Sequence, residues 1–142
     1  MNKCIIVDVD GTVALMNGKR TPFEWDKVHI DDPNEWVISL VRGYISANPG
    51  TELIFLSGRS SECYKLTDKW LSNWFGDISY QLFMRPEEQL YEPDAKIKYG
   101  LYNEFIKPNY EVSFVIDDRR QVVEMWRRVA GLKVAQVAEG NF

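Results

Sequence analysis

Apolar runs alternate with helically phased segments along the whole chain. Consecutive hydrophobic residues at Lys3–Val9, Glu52–Ser57, Tyr80–Met84, Val112–Asp117 and Leu132–Val137 predict strands. Segments around Asn34–Asn48, Ser60–Trp74, Asp94–Lys107 and Arg119–Ala130 predict helices. The last is the clearest. Val122, Val123, Met125, Trp126, Val129 and Ala130 recur at i, i+3, i+4, i+7 on one face, and Gly131 follows as a stop signal. Most of the strands are apolar throughout rather than alternating, which suits a parallel sheet covered on both faces. Strand–helix alternation therefore predicts an α/β, doubly wound domain over residues 1–142, with a central, mostly parallel sheet and helices on both faces. Ligands of such sheets bind outside the carboxyl ends of the strands. Only Val13–Pro33, with Asn17-Gly18-Lys19-Arg20 and two prolines, lacks a strong pattern. It reads as a loop or short flap beside the first strand, too short for a separate cap domain.

Composition narrows the class. The 142 residues suffice for one domain, and 45% hydrophobic with 13% aromatic content suffices for a substantial core. A net charge of −4 excludes a protein that coats long nucleic acid non-specifically, though not one that grips a single phosphate at a chain end. No apolar run reaches the roughly 18 residues of a membrane span, so no membrane partner is expected. The first strand begins almost at Met1, leaving no room for a signal peptide. The two cysteines, Cys4 and Cys63, make no disulfide framework; they read as small buried residues in a reducing, cytoplasmic setting. Nothing in the sequence supports a homo-oligomer, although one is possible.

The chemistry concentrates at predicted strand ends. Asp8 and Asp10 stand i, i+2 at the end of the first strand, so both carboxylates leave on one side, followed by Gly11 and Thr12. Crowding two acids there is unfavourable unless a cation joins them, and Mg²⁺ takes such carboxylates together with waters and phosphate oxygens. The competing reading is an Asp-Gly turn closing a hairpin. The second strand ends in Ser57-Gly58-Arg59: a hydroxyl and a guanidinium fork suited to phosphate, or a helix cap beside a solvated arginine. The fourth strand ends in Asp117-Asp118, which complete a metal site better than they merely cap the next helix. At the start of the third long helix Asp94 and Lys98 share a face, whereas Lys96 is turned about 200° from Asp94. Lys98 is therefore the inward lysine and Lys96 the solvated one.

Asp8-Val9-Asp10-Gly11-Thr12, Ser57, Lys98 and Asp117-Asp118 occur in the order of the four motifs of the haloacid dehalogenase (HAD) superfamily of phosphotransferases, which the chain resembles over most of its length. It is more closely similar to the 3′-phosphatase domain of phage polynucleotide kinase-phosphatase. Met16-Asn17-Gly18, Ser57-Gly58-Arg59, Asp94-x-x-x-Lys98, the run from Asp117-Asp118-Arg119 to Arg128, and Gln136-Val137-Ala138 carry that likeness. The resemblance implies a HAD-like Rossmannoid fold with minimal or no cap. It implies Mg²⁺-dependent removal of 3′-terminal phosphates from DNA or RNA ends, in the host-cell cytoplasm if the chain is phage-encoded. Asp8 would be the nucleophile, Asp10 the acid–base, and Ser57 and Lys98 would hold the phosphoryl group. Thr12, Lys19 or Arg20, Arg59, Arg85 and Asp94 would serve the substrate. Asp8, Asp10 through its carbonyl, and Asp118 would hold the metal with Asp117 nearby.

Two departures stand out. The family's arginine after Met-Asn-Gly is replaced by Lys19 followed by Arg20, so either Arg20 serves after a one-residue insertion or Lys19 substitutes as a point charge. No Gly-x-x-x-x-Gly-Lys-Ser/Thr loop exists, so no kinase half is expected in these residues, and the early first strand favours a stand-alone phosphatase over a fragment. Arg85 precedes Pro86 and reads either as a phosphate contact or as a solvated surface residue. His29, the only histidine, has no assigned role, and the five tryptophans read mostly as core. Trp25 and Phe23, beside the active edge, are the exceptions. The competing function is a HAD phosphatase of free nucleotides or other small phosphomonoesters, with residues 13–33 folded over the site as a lid.

Overall fold

β1 (Asn2–Val7) is central because both its faces are apolar: Ile5 and Val7 are buried on one side, Cys4 and Ile6 on the other. The computed structural model describes residues 1–142. After β1 come two short strands, β2 (Ala14–Leu15) and β3 (Asp32–Pro33), and then α1 (Glu35–Ala47), β4 (Glu52–Ser60), α2 (Tyr64–Phe75) and β5 (Tyr80–Arg85). The chain closes with α3 (Asp94–Leu101), β6 (Tyr110–Arg119), α4 (Arg120–Glu124) and β7 (Val134–Gly140). The main sheet has five strands, all parallel, in the order β5-β4-β1-β6-β7. Winding runs outward from β1 through β4 to β5, then returns to β6 on the other side. The crevice outside the carboxyl ends of β1, β4 and β6 is thus the switch point at which open α/β sheets bind ligands.

Each sheet face carries its own core. Val37, Ile38 and Val41 of α1 and Trp70, Leu71 and Phe75 of α2 cover Ile5, Val7, Leu53 and Phe55. Ile97 and Leu101 of α3 pack with Val122, Met125 and Trp126 on Cys4, Ile6, Ile54 and Leu56. Phe55 anchors the first layer, meeting Phe75 and Tyr80 edge-on at 5.0 and 5.4 Å between ring centres. Truncating such a ring to alanine typically costs about 3–5 kcal/mol through lost burial and the cavity left behind. No helix is long and apolar enough to cross a membrane.

Several boundaries differ from the sequence expectation. β1 stops at Val7 rather than Val9, although the Asp8 N–H still donates to the Ile116 carbonyl at 2.9 Å. β4 continues past Ser57 to Ser60, with a register break against β5 between those residues. β6 extends over Tyr110–Arg119 and breaks register with β7 between Asp117 and Arg119; such irregularities gather where a strand must re-aim side chains. β7 begins at Val134, two residues after the expected Leu132. α2 starts at Tyr64, behind a short 3₁₀ turn over Ser61–Cys63. The third and fourth helices each end in a π turn, Tyr102–Ile106 and Met125–Val129. In the latter the Ala130 N–H reaches back five residues to Met125, which widens the turn and carries Val129 off the apolar face to 61% exposure. Residues 13–33 form the β2–β3 ribbon and a 3₁₀ stretch, Trp25–Ile30, whose Val28 enters the core. Trp70 and Trp126 are core, as expected, but Trp36 and Trp74 lie substantially exposed.

Candidate active site

The turn after β1 builds the seat of Asp8. The Val9 carbonyl accepts the N–H groups of Thr12, Val13 and Ala14 at 3.0–3.2 Å, curling the chain tightly. Gly11 sits at φ +78°, and a β-carbon there would collide with the Asp118 carboxylate; this position needs glycine on both grounds. The curl places Thr12 Oγ1 3.0 Å from Asp8 Oδ2 and 3.2 Å from Asp118 Oδ1, one hydroxyl between two acids.

Lys98 enters from α3. Its Nζ donates to Asp8 Oδ1 at 2.6 Å and Asp117 Oδ2 at 3.1 Å, with Asp94 Oδ2 3.8 Å away. The lysine is 1% exposed. Burial opposes its charge, but Asp117, Asp8 and Asp94 outweigh burial and hold it firmly protonated. Lys96 lies outside, paired with Glu92 at the surface, as its helical phase requires. Asp117 has little left to offer a metal. Its Oδ1 accepts the N–H groups of Asp118 and Arg119, and its Oδ2 accepts Lys98 and the Trp126 indole.

Carboxylate oxygens of Asp8, Asp117 and Asp118 all lie within 4.8 Å of one another, buried, with Lys98 the one cation among them. Burial, then repulsion by Asp117 and Asp118, pushes the Asp8 carboxyl well above its usual range. Burial also raises Asp118. An unbalanced buried cluster of hard oxygen donors suits a divalent cation. Asp8, Asp118 and the Asp10 carbonyl are the groups that would hold Mg²⁺.

The Asp10 carboxylate is held by two arginines instead of Lys98. Arg59 Nη2 and Nε reach its Oδ1 at 2.7 and 3.1 Å, and Arg20 Nη2 at 3.1 Å. Burial would raise this acid, but Arg59 and then Arg20 hold it below the usual carboxylate range. Both guanidiniums also grip Asp31 at 2.7–2.8 Å, and Arg59 Nη1 donates to Thr67. Ser57, 1% exposed, accepts the Arg59 N–H at 3.1 Å, which leaves its own proton to donate.

Three expectations change on this geometry. Arg20, not Lys19, reaches the site; Lys19 is a surface partner of Asp32 at 2.6 Å. Arg59 is a buried strut for Asp10 and Asp31 rather than an extended phosphate contact, because two carboxylates already occupy its fork. Arg85 is neither solvated nor free. It donates to the carbonyls of Gly58, Gln89, Leu90 and Glu92 and closes the loop before α3. That loop delivers Asp94 against Gly58, where a β-carbon would strike the carboxylate.

A cavity of about 400 Å³ opens over these groups, with Asp8, Asp10, Asp118 and Arg119 at its polar side and Phe23 and Phe142 among its apolar walls. Trp25 meets Phe23 edge-on at 6.1 Å and also lines the cavity, whereas His29 is exposed on the 3₁₀ stretch. Asp31, Thr67 and Phe142 escaped sequence reasoning; the acid pair Asp31-Asp32 was the one visible hint. Arg119 stood in the matched run without a role. It is paired at 3.5 Å with Asp94 and stacked on the Phe142 ring at 4.9 Å.

A parallel sheet with acids at the ends of its two central strands and a buried lysine between them defines an aspartate-centred phosphotransferase domain of the HAD type. Residues 2–142 match the profile described as the polynucleotide kinase PNKP phosphatase domain, so the chain belongs to that family and is a phosphatase. It is 36% identical over 126 residues to a protein of Autographa californica nuclear polyhedrosis virus assigned as a bifunctional polynucleotide kinase/RNA ligase, covering 88% of this chain and 18% of the viral one. A chain of the Pnkp1/Rnl/Hen1 complex superposes with a TM-score of 0.90 at 36% identity, covering 100% of this chain and 48% of the other. A second, from the Pnkp1/Rnl/Hen1 RNA repair complex, gives 0.89 at 37% identity, covering 99% and 44%. The chain therefore spans less than half the length of each of these relatives.

Proposed function

We propose that the chain is a Mg²⁺-dependent polynucleotide 3′-phosphatase that clears 3′-terminal phosphates from DNA or RNA ends through an aspartyl-phosphate. The observation that carries this reading is the Asp8–Lys98–Thr12–Asp118 cluster facing an open cavity, with Asp10 held beside it by two arginines. Asp8 attacks phosphorus while the bond to the sugar oxygen breaks. Lys98, Thr12 and Ser57 hold phosphoryl oxygens, where charge is spread in the transition state. When bound, Mg²⁺ offsets the repulsion between the Asp8 carboxylate and the phosphate dianion.

Asp10 serves both halves of the cycle. As it rests, ionised between Arg20 and Arg59, it is a ready base for the water that cleaves the aspartyl-phosphate. For the first half it needs a proton for the departing sugar oxygen. The negative charge of the arriving phosphate beside Asp10 raises the carboxyl's proton affinity.

Residues 13–33 contribute one wall of the cavity through Phe23 and Trp25. The remaining opening suits a bulky polynucleotide terminus. The deciding experiment compares phosphate release from a 3′-phosphorylated oligonucleotide and a 3′-mononucleotide at equal concentration with Mg²⁺. A clear preference for the oligonucleotide supports the reading. Equal or better use of the mononucleotide replaces it with a small-phosphomonoester phosphatase.

A further inference from the structure

Large apolar side chains cluster at the mouth of the catalytic cavity without a partner to cover them. Phe23 is 77% and Phe142 57% exposed, yet both line the cavity that exposes Asp8 and Asp118. They come from opposite ends of the chain. Phe23 stands on the segment after β2, braced edge-on by Trp25, and Phe142 follows β7.

Phe142 is held in place. Its N–H donates to the Gly140 carbonyl at 2.7 Å, its carbonyl accepts the Gln121 N–H at 3.4 Å, and the Arg119 guanidinium lies 4.9 Å from the ring centre. Arg119 is itself tied to Asp94 at 3.5 Å. The aromatic wall is thus connected, through Arg119 and Asp94, to the helix that carries Lys98. A ring fixed by a cation on one face and open on the other can accept a flat aromatic ligand by stacking.

We infer that Phe142, with Phe23 lining the same cavity, is a specificity determinant that takes the base of the phosphate-bearing terminal nucleotide. The inference rests on the 3′-phosphatase reading and deepens it. A 3′-phosphate held at Asp8 leaves its own sugar and base as the groups that must occupy the mouth. Stacking on aromatic side chains tolerates all bases, because each has a π-face, so this contact selects nucleotides over sugar phosphates without selecting sequence.

The test uses the full chain and two 3′-phosphorylated oligonucleotides that differ only in whether the terminal nucleotide carries its base or is abasic. The wild type is expected to favour the base-bearing substrate by about tenfold in kcat/KM, mainly through KM, as loss of one base–aromatic stack brings. Phe142→Ala and Phe23→Ala should each shrink that ratio toward one, while Phe142→Tyr keeps it, since a tyrosine ring still stacks. The inference is overturned if the wild type uses both substrates equally, or if the alanine variants keep the wild-type ratio. Phosphate release from neither oligonucleotide by the wild type would overturn the 3′-phosphatase reading and this inference with it. Release from both at equal efficiency would overturn the inference alone.

Discussion

Lys98 Nζ stands 2.6 Å from Asp8 and 3.1 Å from Asp117, so one buried ammonium joins the carboxyl ends of β1 and β6. The lysine lies 90 residues after Asp8 in the chain. Its placement fixes the spacing of Asp8 against Asp117.

Lys98→Ala is expected to lower turnover by about 10²-fold or more, the scale of removing one preorganised charge-stabilising donor. Lys96→Ala should be nearly silent, because its surface pair with Glu92 contributes little. Asp94→Ala should fall between, freeing Lys98 and Arg119 without touching the oxygens proposed to hold Mg²⁺. Steady-state phosphate release checks all three. A damaging Lys96→Ala beside a silent Lys98→Ala would contradict the helical phase.

Asp8→Asn should abolish turnover and leave the fold intact. The amide keeps the shape but is not an anionic nucleophile. It also removes one charge from a buried cluster that already pushes the Asp8 carboxyl upward, so the melting temperature should hold or rise. More than a tenth of wild-type activity would exclude Asp8 as nucleophile.

Arg20→Ala should impair turnover strongly, whereas Lys19→Ala should change it little. Arg20 is buried between Asp10 and Asp31, while Lys19 makes an exposed ion pair. Arg59→Lys should also fail, because an ammonium cannot span Asp10, Asp31 and Thr67 as the guanidinium does. Thermal melting run in parallel separates lost chemistry from lost stability. Normal activity in Arg20→Ala with a defect in Lys19→Ala would reverse the assignment.

Activity should vanish in excess chelator, return with Mg²⁺, and be poorly supported by Ca²⁺, whose longer oxygen distances misplace Asp8. A cation bound only by the native acid cluster also stabilises the fold, by about 2.7 kcal/mol at a hundredfold excess over Kd. Mg²⁺ should therefore raise the melting temperature of the wild type more than that of Asp118→Asn. Full activity in chelator would refute the metal assignment.

Much was legible in the linear chain. Both-face burial of a parallel strand imposes a continuous apolar run, which places Asp8 and Asp10 just past its carboxyl end. Helical phase separated Lys98 from Lys96. Each of these depends on a local period, which the chain cannot adopt without displaying it. The π turn that exposes Val129 broke that rule, because a single widened turn leaves no periodic trace.

What the sequence by itself determined is the sheet, the identity of the acids at its carboxyl edge and the lysine between them. The tertiary structure decided how those charges divide. Arg59 and Arg20 converge on Asp10 and Asp31 across tens of residues, while Lys98 is left to Asp8 and Asp117. Which carboxylate a guanidinium meets depends on register breaks in β4 and β6 and on the closing loop tied down by Arg85. Those are long-range packing outcomes with no counterpart in local spacing. The same holds for Phe142, which reaches the cavity only because β7 runs beside β6 and returns the chain to Arg119.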